Sequence, residues 1–194
     1  MQTDRAFSRR AGFQAYLVAA FSLAYAFVFL GFVRGHPGDH TAAALAWALL
    51  AAGALSASMA VVGASSRVSG DARRWLAGLG VGYALLSASH GAFAAIAEAE
   101  GLPTGELSPT DPRGLATFGL AGLWALALGL EIRSGNTTFP GVLGWLAIVN
   151  GIALIVLFFA TVSASDTLIA VTGALAAVIL APGFWIWTGR ALRA

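Results

Sequence analysis

The sequence predicts an all-α, polytopic membrane protein: one transmembrane domain over residues 1–194, folded as a six-helix bundle with both termini cytoplasmic. Three observations predict it. Of 194 residues, 58% are hydrophobic and only 10% charged, with a mean hydropathy of +0.80. A soluble domain needs about 25% charged residues to solvate its surface. Charges and turn residues also divide the chain into six apolar segments, at residues 11–33, 42–64, 75–97, 114–130, 140–162 and 167–189. Most are close to the ~20 residues that a helix needs to cross ~30 Å of hydrocarbon. The alternating ~10-residue strands of a membrane barrel are absent from the pattern. Finally, the arginines are distributed unevenly. With the N-terminus inside, cytoplasmic segments hold Arg5, Arg9, Arg10, Arg67, Arg73, Arg74, Arg133, Arg190 and Arg193, and the outer loops only Arg34 and Arg113. Nine against two fixes the orientation by the positive-inside rule.

The first segment follows SRRAGFQAYLVAAF, in which a paired arginine precedes a long apolar run. A signal-peptide core is about 7–15 residues long. This run is 23 residues, so Arg9 and Arg10 are expected to anchor a retained helix. The second segment carries a small residue at every fourth position: Ala44, Ala48, Ala52, Ser56, Ala60 and Ala64. Small residues let helix backbones approach closely in lipid, so this helix is expected to be central. The third has Gly78 and Gly82 and no charge between residues 75 and 97.

An acidic, proline-rich outer segment, AEAEGLPTGELSPTDPRG, separates the third span from the fourth. The fourth is short, at 17 residues, and is expected to borrow length from its flanks; Ala121, Ala125 and Gly129 give it a small face. Trp75, Trp145, Trp185 and Trp187 fall near cytoplasmic helix ends, as an interfacial aromatic belt requires.

The fifth and sixth segments carry structural polar positions. Asn150 lies roughly 15 Å into the fifth helix, near the midplane. Pro182 in the sixth has no N–H to offer the carbonyl of Val178. A carbonyl left without a donor in hydrocarbon costs several kcal/mol, and the Asn150 amide at that depth is the expected cap.

An intramembrane ionisable residue is a functional hypothesis by default, and His90 in SASHGAF is one. At ~1.5 Å per residue, His90 stands about 22 Å from the cytoplasmic side, Tyr25 on the first helix about 21 Å, and Trp47 on the second at a similar level. Thr172, near the outer end of the sixth, joins them as a candidate. These four would line a pocket for a lipid, quinone or pigment headgroup, the alternative being that His90 ties helices together by bonding Tyr25 or a backbone carbonyl.

No metal site is expected. His36, Asp39 and His40 sit in the outer loop RGHPGDH and need Glu98 or Glu100 to complete a ligand set. The intervening Pro-Gly breaks helical spacing, and a solvated loop is the simpler reading. The chain has no cysteine, which excludes disulfides, thiolate metal sites and covalent haem. No basic stretch exceeds two arginines, so no nucleic acid is expected. The sequence carries neither a nucleophile elbow nor HExxH nor a phosphate loop, and a non-enzymatic protein is expected. All eleven basic residues are arginine and alanine and glycine abound, a composition that fits a GC-rich bacterium and its cytoplasmic (inner) membrane.

In the C-terminal half, GLWALALGLEIRSG followed by FPGVLGWLAIVNGIALI resembles the signature of a family of uncharacterised six-helix bacterial membrane proteins. The resemblance covers residues 114–190, implies six helices, and brings no site with it.

Three functions fit this reading. The first and preferred is an accessory or structural subunit of a larger membrane complex, in contact with membrane lipids and with other subunits or a second copy. The second is the substrate-binding component of a vitamin-type transporter, for which Ala15 and Ala19 resemble the partner-binding Ala-x-x-x-Ala of such proteins. The third is a haem or metal redox protein built on His90.

Overall fold

The computed structural model describes residues 2–36, 38–102 and 116–194. Among these residues the regular structure is helical, in six successive rods. Helix α1 runs Gln2–Val28 and continues as a wide π turn, Phe29–Val33; α2 is His40–Ser65 and α3 is Ala72–Ala99. Helix α4 opens as a π turn, Ala116–Leu120, and continues over Ala121–Arg133. Helix α5 is Gly141–Val162. Helix α6 comprises Asp166–Ala174, a π segment Leu175–Leu180, and Ala181–Arg193.

Five rods are long and apolar enough to cross a membrane among the described residues; α4, the short segment, is the sixth. Its expected start at residue 114 and most of the acidic outer segment, residues 103–115, lie outside the described residues.

The helices form a ring in chain order. Each packs on the next, α4 closes on α3, and α6 returns against α1. The closing seam is tight: a Cβ on Gly12 would stand 2.8 Å from the Gly189 carbonyl oxygen. Both termini therefore lie at one end of the bundle. The α2–α3 and α4–α5 turns share that end, where Val68 bridges Thr137 and the Ser69 amide donates to the Asn136 carbonyl at 2.9 Å. We call it the terminal face.

The buried positions are mostly small. Ala11, Ala15, Ala60 and Ala64 are buried, as are the larger Val61, Leu76, Leu128 and Leu143. Large apolar side chains point outward instead, among them Phe27, Phe159, Val171 and Ile179. Small inside and large outside is how helices associate in lipid, where close van der Waals contact replaces the missing hydrophobic drive. The contact positions follow the expected stripes only in part: Ala60, Ala64, Ala125 and Gly129 are buried as expected. Gly78 meets nothing within 4 Å, whereas Gly80, two residues on, lies against Trp124 and Val61. On α2, Ala43, Ala46, Ala57 and Ala60 are buried while Ala48 is exposed.

One aromatic cluster fills the middle of the ring. Trp124 of α4 stacks on Trp185 of α6 at 5.6 Å and 11°, with Phe184 and Tyr83 at its edges. Trp185 is thus a core residue and not part of a belt. Trp75, Trp145 and Trp187 are exposed, and Trp145 carries the Arg133 guanidinium 5.0 Å above its ring.

The proline of α6 is accommodated differently from the sequence expectation. Across Leu175–Leu180 the backbone bonds five residues back, and the Ala181 amide reaches the Ala176 carbonyl. In that register Pro182 deprives Ala177, not Val178, and the Ser22 hydroxyl of α1 donates to the Ala177 carbonyl at 3.4 Å. Local π adjustment with a hydroxyl donor is one way intramembrane prolines are tolerated. Asn150 is buried in α5, its side-chain oxygen unpartnered, and makes no bond to Val178.

Candidate functional site

A pocket of about 300 Å³ lies at the end of the bundle opposite the terminal face, between α1, α2, α3, α4, α5 and α6. Tyr25, Trp47 and His90 all line it. Each comes from a different helix, and the close approach of α3 to α2 sets their distances. A Cβ on Gly91 would stand 2.9 Å from both the Trp47 carbonyl oxygen and the Ala51 nitrogen, so only glycine lets the two backbones meet there. That contact puts the His90 ring edge-on to Trp47, at 5.5 Å and 85°. The Tyr25 ring lies 6.5 Å from the same indole, tilted by 48°, and stacks on Phe29 at 5.5 Å. Trp47 thus contacts both Tyr25 and His90, and the expected hydrogen bond from His90 to Tyr25 is absent.

The wall has a second feature. Each of the three π segments contributes to it: Phe29 and Leu30 from α1, Thr117 and Phe118 from α4, and Ala177 from α6. A π turn adds a residue to the helical repeat, moves the next side chains off the α register, and is found often at functional sites. All three wide turns thus border this one space.

The pocket's chemistry is that of an apolar chamber with a few polar groups. His90 is 3% exposed. The Tyr25 hydroxyl makes no hydrogen bond among the described residues. The Thr161 hydroxyl donates to its own helix at Leu157 O, 2.8 Å away, and keeps its lone pairs. Arg34, which directly follows the π turn at the end of α1, supplies a cation to the lining. Apolar walls with sparse polar groups are the usual make-up of small-molecule sites, which begin near ~300 Å³. A second cavity of about 150 Å³ shares Tyr25, Leu50, Phe118 and Ala177 with the first and leads inward to Tyr83 and Trp185.

Compared with known proteins, the chain matches no family model, no curated protein and no solved structure. The site is therefore read from its own geometry.

Thr172, the fourth expected member, does not line the pocket; its hydroxyl is spent on the Leu168 carbonyl at 2.6 Å, and the neighbouring Gly173 and Ala174 form the wall. Arg34, Thr117 and Thr161 were missed. Thr117 and Thr161 stand near the ends of their helices away from the terminal face, and the depth count that found His90 would have found them.

Of the residues considered as metal ligands, His40 and Asp39 have other employment. His40 Nδ1 pairs with Glu98 Oε2 at 2.8 Å and ties α2 to α3. Asp39 caps α2 by accepting from the Ala42 amide at 2.9 Å. Among the described residues, no three His, Cys, Asp or Glu side chains converge as a metal set.

Proposed function

We propose that this chain is a non-enzymatic, multi-pass protein of the bacterial cytoplasmic membrane, an accessory subunit that holds an amphipathic, lipid-soluble molecule in its outer half. The observation that carries the reading is the convergence of Tyr25, Trp47 and His90 on one chamber widened by three π segments. The nine-to-two arginine distribution supports placing the terminal face in the cytoplasm. The pocket then opens at the level of the outer leaflet.

The lining favours a flat head with acceptor oxygens, of the quinone kind, followed by an apolar tail. The Trp47 and Tyr25 rings offer faces, the Tyr25 hydroxyl offers a proton, and Arg34 tolerates negative charge. The adjoining cavity toward Tyr83 gives the tail somewhere to lie. Partner subunits, or a second copy, would pack on the apolar exterior.

Native mass spectrometry of the protein gently released from its own membranes tests this. The expected result is a discrete small-molecule mass bound together with other subunits, with occupancy falling at least tenfold in Tyr25→Phe and in His90→Leu. Unchanged occupancy in both variants, or only ordinary phospholipid, would refute the pocket's role. A water-soluble vitamin in the chamber would replace this reading with the transporter component, and a visible haem spectrum with the redox protein.

A further inference from the structure

The terminal face carries a second concavity, of about 840 Å³, unrelated to the outer pocket. Six arginines line it: Arg5 and Arg9 of α1, Arg67 of the α2–α3 turn, Arg73 and Arg74 of α3, and Arg193 of α6. Among the described residues no Asp or Glu side chain joins the lining, which also includes Ala194, and none of the six arginines is ion-paired. The positive-inside rule accounts for arginine in these segments. It does not account for their convergence on one hollow, where like charges repel.

Two of the six are positioned by specific contacts. Arg67 Nη2 donates to the Ser8 hydroxyl at 3.1 Å and to the Leu192 carbonyl at 3.2 Å, which fixes it where α1, α2 and α6 meet. The Arg193 guanidinium lies 5.7 Å over the Tyr16 ring. Independently, Ser65 also lines the hollow; it is fully buried, and its hydroxyl has no partner. A buried hydroxyl without a partner is costly unless something satisfies it.

We propose that this hollow binds the two-phosphate headgroup of an anionic phospholipid. Two phosphates match a site with six cations and a volume far beyond one anion. The apolar flank of Phe7, Val62 and Ala77 gives the acyl chains a path back into the bilayer. Basic pockets between transmembrane helices on the cytoplasmic side are suited to such headgroups, because charge attraction and the bilayer surface act together. Arginine adds bidentate geometry that a diffuse surface charge lacks.

The test uses the full chain, delipidated in mild detergent and titrated with diphosphatidylglycerol, phosphatidylglycerol, phosphatidylcholine or inorganic pyrophosphate. Bound mass is counted by native mass spectrometry. One diphosphatidylglycerol per chain is expected, at least tenfold tighter than phosphatidylglycerol. Arg73→Gln/Arg74→Gln, at exposed positions without side-chain hydrogen bonds, should weaken it at least tenfold, and Ser65→Ala severalfold. Arg10→Gln/Arg190→Gln removes equal charge from the same face outside the hollow and should leave it within twofold. Equal losses in the two double variants, or no preference between the anionic lipids, would reduce the site to surface charge and overturn the proposal. Pyrophosphate binding as tightly as the lipid would overturn the lipid in favour of a soluble polyanion.

Discussion

The contact between α2 and α3 at Gly91 can be tested by pairing it with Gly78 on the same helix. A Cβ at Gly91 meets backbone on three sides, the Trp47 carbonyl oxygen and Ala51 nitrogen at 2.9 Å and the Ala51 Cα at 3.2 Å. Backbone cannot swing aside as a side chain can, so Gly91→Ala must push the helices apart. Overpacking of this kind costs about 1–3 kcal/mol. The edge contact between Trp47 and His90 would loosen with it, adding about 0.5–1.5 kcal/mol. Gly78 meets nothing within 4 Å, so Gly78→Ala should instead stabilise by about 0.5–1 kcal/mol through helix propensity alone. The two alanines are thus expected to act with opposite sign. Unfolding by heat or by denaturing detergent, in one mild-detergent background, reads both. Ligand retention should fall in Gly91→Ala only. If Gly91→Ala proved neutral, or stabilising as Gly78→Ala is expected to be, the close crossing that sets the pocket's distances would be wrong.

Three further outcomes are expected. Trp124→Ala empties the middle of the aromatic cluster and should cost about 3–5 kcal/mol, read in the same unfolding assay; a loss below 1 kcal/mol would show the cluster to be peripheral. Ser22→Ala leaves the Ala177 carbonyl without its donor and should cost about 1–3 kcal/mol, with faster amide exchange across residues 175–182; Ser22→Thr should restore both. Ala164, which follows α5, has φ of 51°, a left-handed conformation that penalises a Cβ, while Gly135 fills the same position after α4 with φ of 82°. Ala164→Gly should therefore stabilise by about 0.5–1 kcal/mol, and a fall in melting temperature would contradict that backbone geometry.

The parts of this architecture legible in the sequence were those that depend on distance along a helix. The rise per residue is nearly constant, so the spans, the shared end of the termini and the common level of Tyr25, Trp47 and His90 all follow from counting. Rotation about the helix axis was not legible. In a chain this rich in alanine, small residues occur on every face. The expected stripe from Ala44 to Ala64 thus points partly outward, and Gly80 rather than Gly78 or Gly82 makes the contact with α4. Thr172 shows the same limit, being near the outer end of α6 and yet turned from the pocket. Trp185 was misplaced because a tryptophan near a helix end reads as a belt residue until its stacking partner, Trp124, is known. The π segments left no mark in composition, and they moved the carbonyl freed by Pro182 from Val178 to Ala177.

The closure of the ring has a consequence for biogenesis. The seam between α1 and α6 joins segments far apart in the sequence: Gly12 meets Gly189, and Arg67 bonds both Ser8 and Leu192. While the ribosome is still extending the chain, α1 has only α2 as a neighbour, and lipid must occupy the place of α6. Contacts so distant in sequence form late, after local helix pairs have assembled. The chamber opposite the terminal face lacks its wall from Ile169 to Ala177 until that moment. A molecule held there, as proposed above, would meet an open cleft before α6 docks and a closed room afterwards, so loading and that docking step would coincide.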